Sequence, residues 1–198
     1  MSPIISWLAA ILVLITAVGL VLSRDWRWSL GLLAVQYFGV FWLVLGHWPL
    51  GMAVAKLITG WMAAGVLLMT RLAMPADTPE ESAWPQGRLF RLFACLLIAL
   101  AAASLVTLVP AWLPGISTAE AFGGLVLVGL GILHLGMTVQ PARVITGLLT
   151  VLAGFEIMYA SVENSLLVAA LLSALNLGLA LVGSYLMLRP LPAEEPGL

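Results

Sequence analysis

Charge is what this sequence has least of. Only 9% of its 198 residues are Asp, Glu, Lys or Arg, against about 25% in an ordinary soluble domain. A chain that is 63% hydrophobic, with a mean hydropathy of +1.14, has too few charges to clothe a water-facing surface. It is expected to be an integral membrane protein. Cysteine is nearly missing: Cys95 has no partner within the chain, which excludes an intrachain disulfide and a cysteine-built metal site. The two histidines, His47 and His134, fall at opposite ends of their spans, so joint ligation of a metal or haem within one subunit is not expected. Neither sign of charge dominates: 8 basic residues meet 9 acidic ones for a net −1, which leaves no basic footprint for nucleic acid. The apolar runs do not alternate with polar residues, which excludes a membrane barrel. No Ser/His/Asp set, no carboxylate pair in a polar pocket and no phosphate-binding loop is present. The chain is therefore expected to be non-catalytic on its own, with no cofactor and no metal.

What the sequence does have is apolar runs of membrane length. A helical span needs about 20 apolar residues. The runs place spans at about Ile4–Leu22, Trp28–Gly46, Leu50–Thr70, Leu89–Val109, Ala119–Val139, Ala142–Ser161 and Asn164–Leu188. The fold expected is all-α, a polytopic protein of seven transmembrane helices. The first run is read as a span and not a signal peptide, because Met1-Ser2-Pro3 carries no positive charge and the apolar run is longer than an h-region. One long polar segment, from Arg71 to Arg88, contains Pro75, Asp77, Pro79, Glu80, Glu81 and Pro85; it is expected to be an irregular loop. The division is then 1–70 as an N-terminal three-helix half, 71–88 as a linker, 89–118 as a linking helix and 119–198 as a C-terminal three-helix half.

Seven spans place every arginine on one side of the membrane. Arg24 and Arg27, then Arg71, Arg88 and Arg91, then Arg143 and Arg189 all fall at the same end, and the other end has none. The positive-inside rule makes the arginine side cytoplasmic. The N-terminus is then outside, the C-terminus and the 71–88 loop inside. Trp7, Trp26, Trp28, Trp48, Trp84 and Trp112 lie near span ends, as in an interfacial belt, whereas Trp42 and Trp61 lie deeper. Gly123, Gly124, Gly129, Gly131 and Gly136 in the fifth span suit close helix packing.

A few polar residues interrupt the spans. Glu156 lies in the sixth and Asn176 in the seventh, 20 positions on; Gln36 lies in the second and Lys56 in the third, also 20 apart. That equal spacing suggests two parallel three-helix repeats joined by the fourth span. A carboxylate inside an apolar span is costly, by roughly 2.5–3.5 kcal/mol when ionised, and marks a functional site by default. Lys56 lies about 9 Å inside its span. It either snorkels to the near interface or joins a buried pair, Glu156 being at similar depth. Gln36 is read as an interhelical hydrogen-bonding residue, and Glu163 as an interface residue at the end of the sixth span.

Arg143, then Phe155-Glu156-Ile157-Met158, then Val162 and Asn164 resemble the second helix of the K subunit of bacterial complex I. That helix follows an Arg-bearing loop and contains a Leu-Glu-Leu-Met run. In length and layout the chain is similar to a longer relative, the E-type membrane component of hydrogenase-4. The likeness is strongest over residues 119–188. It implies a membrane-arm subunit of a redox-driven proton- or cation-translocating complex, in the cytoplasmic membrane of a bacterium or archaeon. Its partners would be antiporter-like and redox subunits, with the lipid bilayer around it. By that resemblance Glu156 belongs to a proton path. The pattern departs where the family has a second Glu and this chain has Asn176, which cannot release a proton. Lys56 is then the candidate for the missing titratable group. The candidate relay comprises Glu156, Lys56, Asn176 and Gln36, with Glu163 and Arg143 as possible contacts to neighbours. The alternatives are a free-standing small transporter or channel, or a structural or pigment-associated membrane subunit.

Overall fold

A computed structural model describes residues 3–74 and 87–189. Among the described residues the chain forms α1 (Pro3–Leu22), α2 (Trp26–Val44), α3 (Leu50–Ala73), α4 (Arg88–Leu105), a one-turn α5 (Val109–Trp112), α6 (Thr118–Gly136), α7 (Pro141–Ala160) and α8 (Leu166–Leu188). All but α5 are 18 to 24 residues long and apolar enough to cross a membrane; at about 1.5 Å per residue that is roughly 27–36 Å. With seven such helices among the described residues, the protein is a multi-pass membrane protein. The expected core of the 71–88 loop, with Pro75, Asp77, Glu80, Glu81 and Trp84, lies outside the described residues.

Local chemistry sets the boundaries. Asp25 accepts a hydrogen bond from the amide of Arg27 and starts α2. Pro49 precedes α3, and Pro141 opens α7, where a missing N–H is harmless. Ser117 and Glu120 form a reciprocal capping box at the start of α6. The fourth span is shorter than its apolar run predicts. It stops at Leu105, and the apolar residues beyond it turn through Thr107 into α5, which carries Pro110 in its first turn. Hydropathy runs on through Val109; the regular helix does not. Gly115, at φ +100°, completes the turn into α6.

The spans pack as two rows, α1–α2–α3 and α6–α7–α8. Across the rows α1 lies on α6, α2 on α7 and α3 on α8. The result is two adjoining four-helix squares that share the α2/α7 edge. α4 stands outside them against α1 and α6, and only Cys95 and Ala102 on it are buried. The closest approach is between α6 and α7. A methyl group on Gly154 would sit 2.7 Å from the Gly124 carbonyl oxygen and 2.8 Å from the Val128 nitrogen, so the backbones touch where only hydrogen fits. Gly124 and Gly131 serve this contact, Gly123 faces Leu43 on α2 and Gly129 faces Ile98 on α4; Gly136, expected with them, faces open space. The outward surfaces are apolar, among them Leu89, Phe93, Leu97, Leu171 and Leu181, as contact with lipid requires.

Every arginine lies where α1, α3, α6 and α8 end and α2, α4 and α7 begin; we call this the arginine end. There Arg143 Nη2 donates to the Ser23 carbonyl at 2.7 Å, and Arg91 Nη1 to that of Val21 at 3.4 Å. Two residues from other helices thus cap the C-terminus of α1, where the helix dipole favours positive charge. The guanidinium groups of Arg27 and Arg71 both lie over the Trp26 ring, at 5.3 and 5.9 Å from its centroid.

Candidate functional site

One square, α2–α3–α8–α7, holds charge at its centre. Lys56 points inward from the second turn of α3, and Glu156 from the last turns of α7, the helix diagonally opposite. Lys56 Nζ lies 2.6 Å from Glu156 Oε1 and 2.5 Å from Oε2. The side chains are 2% and 0% exposed, so the pair is fully withdrawn from solvent and lipid. Of the two courses open to Lys56, the buried pair is the one taken. Asn176, on α8, donates through Nδ2 to Glu156 Oε1 at 3.1 Å and to the Leu172 carbonyl at 3.2 Å.

The fourth wall supplies a residue the sequence reading overlooked. Tyr37, on α2, donates its hydroxyl proton to Asn176 Oδ1 at 2.9 Å, and Lys56 Nζ lies 5.6 Å from the centre of its ring. Each helix of the square thus gives one side chain to a single connected cluster. The ring fits because residue 60 is glycine: a methyl group there would lie 2.4 Å from Tyr37 Cγ. From the end opposite the arginines, the backbone of Glu156 lies about 6 Å deep, that of Lys56 about 9 Å, Tyr37 about 10 Å and Asn176 about 15 Å. An aromatic in an apolar span reads as packing, so the only signal for Tyr37 was its place beside Gln36.

Gln36 itself stands apart. It bonds Thr150 Oγ1 on α7 through Nε2 at 3.3 Å, across the edge the two squares share, and its Oε1 is buried without a partner. The expected interhelical bond is present, and it does not join the Glu156 cluster directly. Arg143 is occupied at the end of α1, as described. Glu163 is exposed: its carboxylate accepts from the amide of Asn164, and its carbonyl accepts from Trp48 Nε1 at 3.1 Å. Trp48 is consequently 4% exposed, and does not sit in an interfacial belt as its position suggested.

A second polar contact closes the end opposite the arginines. His47 Nε2 lies 2.9 Å from Glu120 Oε2, which also accepts from the Ser117 amide at 2.8 Å. Glu120 went unremarked in the sequence, although Ser-x-x-Glu ahead of an apolar run is a readable capping signature. His134 is buried near the arginine end, far from His47. Among the described residues no group of three or more His, Cys, Asp or Glu could hold a metal ion. Set beside known protein families, characterised proteins and solved structures, the chain matches none of them.

Proposed function

We propose that this chain is a non-catalytic membrane-arm subunit of a redox-driven proton- or cation-translocating complex, of the complex I-like or membrane-bound hydrogenase type, and that Glu156 carries the proton. One observation supports this above the others: a Lys–Glu pair buried inside a four-helix square within the membrane. Isolating two charges from water carries a penalty of several kcal/mol per ion. Intramembrane ionisable residues of this kind mark ion pathways. Lys56 supplies the second titratable group where the family pattern has a carboxylate and this chain has Asn176. The arginine end is cytoplasmic under the positive-inside rule, with the N-terminus outside, in a bacterial or archaeal cytoplasmic membrane. Redox chemistry belongs to partner subunits; exposed Glu163 is the proposed contact to an antiporter-like neighbour.

The test is Glu156→Gln in the native membrane. The variant keeps shape and hydrogen bonding and deletes the exchangeable proton. Assembly is expected to survive while proton pumping coupled to electron transfer falls. Normal assembly with wild-type pumping ends the proton-carrying reading. Loss of assembly would leave the question to the double variant Lys56→Met/Glu156→Gln, which removes both charges together: wild-type pumping by an assembled double variant makes the pair structural.

A second reading, a free-standing transporter, is favoured by one feature. Glu156 finds its cation in its own chain and needs no neighbouring subunit to complete the pair. Purified protein alone in liposomes, assayed for proton or sodium flux, separates the two: flux without partners favours the transporter.

A further inference from the structure

Tyr37 is the largest of the fully buried side chains, and the function proposed above assigns it nothing. The orientation of the Asn176 amide reveals its task. One end of that amide faces two acceptors, the Leu172 carbonyl at 3.2 Å and Glu156 Oε1 at 3.1 Å. An amide oxygen there would meet only other oxygens, so Nδ2 must face them, and both its hydrogens are spent. Oδ1 is left to Tyr37, whose hydroxyl therefore donates. Oε1 of Glu156 accepts from both Asn176 and Lys56, whereas Oε2 has no hydrogen bond of its own and faces the Lys56 ammonium at 2.5 Å.

Resting on the proposed role of Glu156, we propose that Tyr37 is a positioning residue of the site. Its hydroxyl fixes Asn176 as a donor to Oε1, the oxygen that also accepts the Lys56 hydrogen bond and so the one that exchanges a proton with Lys56. In that step one Nζ–H bond breaks and one Oε1–H bond forms along the existing hydrogen bond. The nitrogen keeps the bonding electron pair, and an ammonium and a carboxylate become an amine and a carboxylic acid. The net charge inside the square does not change, and the neutral products suit an apolar surrounding. Donation from Tyr37 polarises the amide, so the strength of the first hydrogen bond sets the strength of the second.

Difference infrared spectroscopy of the full chain in liposomes reads this directly, with Glu156→Gln identifying the bands of the Glu156 carboxyl group. Tyr37→Phe removes one oxygen and keeps the ring that Gly60 accommodates. It is expected to shift those bands, and to lower proton transport in native membranes about fivefold, the factor one net hydrogen bond is worth. Fluorotyrosine at position 37 keeps every contact, strengthens the donor, and is expected to shift the bands the opposite way. Tyr159→Phe, outside the cluster, moves neither quantity. Bands unmoved by both changes at position 37 overturn the positioning role. Shifted bands with wild-type transport uphold the positioning and overturn the proton-carrying role of Glu156. Should Tyr37→Phe fail to fold, the fluorotyrosine protein carries the test alone.

Discussion

A buried lysine and a buried glutamate stabilise each other only as a pair. Lys56→Met leaves the Glu156 carboxylate without its cation, and breaking such a pair typically destabilises by about 3–5 kcal/mol. The double variant Lys56→Met/Glu156→Gln is expected to recover most of that loss, measured as thermal unfolding in detergent; a double variant whose loss equals the sum of the two single losses would mean the charges do not interact energetically. Gly60→Ala is expected to destabilise by about 1–3 kcal/mol, the usual effect of overpacking, because the added carbon meets the Tyr37 ring at 2.4 Å. An unchanged melting temperature would show that the ring has room to move. Residues of this kind differ in how legible they are in sequence. Lys56 and Glu156 stand out because charge is rare in an apolar span. Tyr37 does not, since its ring is indistinguishable from packing until the hydroxyl is seen to meet Asn176. Glu120 sits close enough to a span end to pass for an interfacial acid, and only its neighbour Ser117 hints at the cap.

Helices are where sequence and structure agree most closely. Span length and apolar content together placed all seven long helices, because in a bilayer a helix must satisfy its own backbone and so must run the full thickness. The disagreements come at ends, where hydropathy carries no geometric information. Leu105 ends α4 while the apolar run continues to Val109, and Trp48 turns inward to a carbonyl on the α7–α8 connection. Caps are legible by residue type, so their effect can be forecast. Ser117→Ala removes the hydroxyl that accepts from the Glu120 amide, and about 1 kcal/mol of stability is expected to go with it. Hydrogen exchange should rise in the first turn of α6 and around His47, whose partner Glu120 the cap holds in place. Exchange confined to the first turn of α6 would show that the His47 contact stands without the cap.

The order of the spans in the bundle was beyond the reach of periodicity. Equal spacing of Gln36 to Lys56 and of Glu156 to Asn176 suggests equivalent halves, yet these residues do different work: Gln36 bonds Thr150, whereas Lys56, Glu156 and Asn176 share one cluster. The gathering of arginines at one end is a property of the whole chain, and the proposed orientation rests on it. A reporter fused after Leu198 is expected to be active only as a cytoplasmic fusion, and one placed in the α2–α3 turn only as an exported one; the reverse pattern would invert the topology.

The ion pair also bears on how the protein is made. Lys56 and Glu156 are 100 residues apart, and synthesis runs from the N-terminus. The cation must therefore enter the bilayer long before its anion exists. At about 9 Å from the near end of α3, the ammonium is within snorkelling reach of the headgroups, where it can wait. Once α7 is in place the lysine has its partner, and α8, made last, brings Asn176 to Glu156 and closes the square.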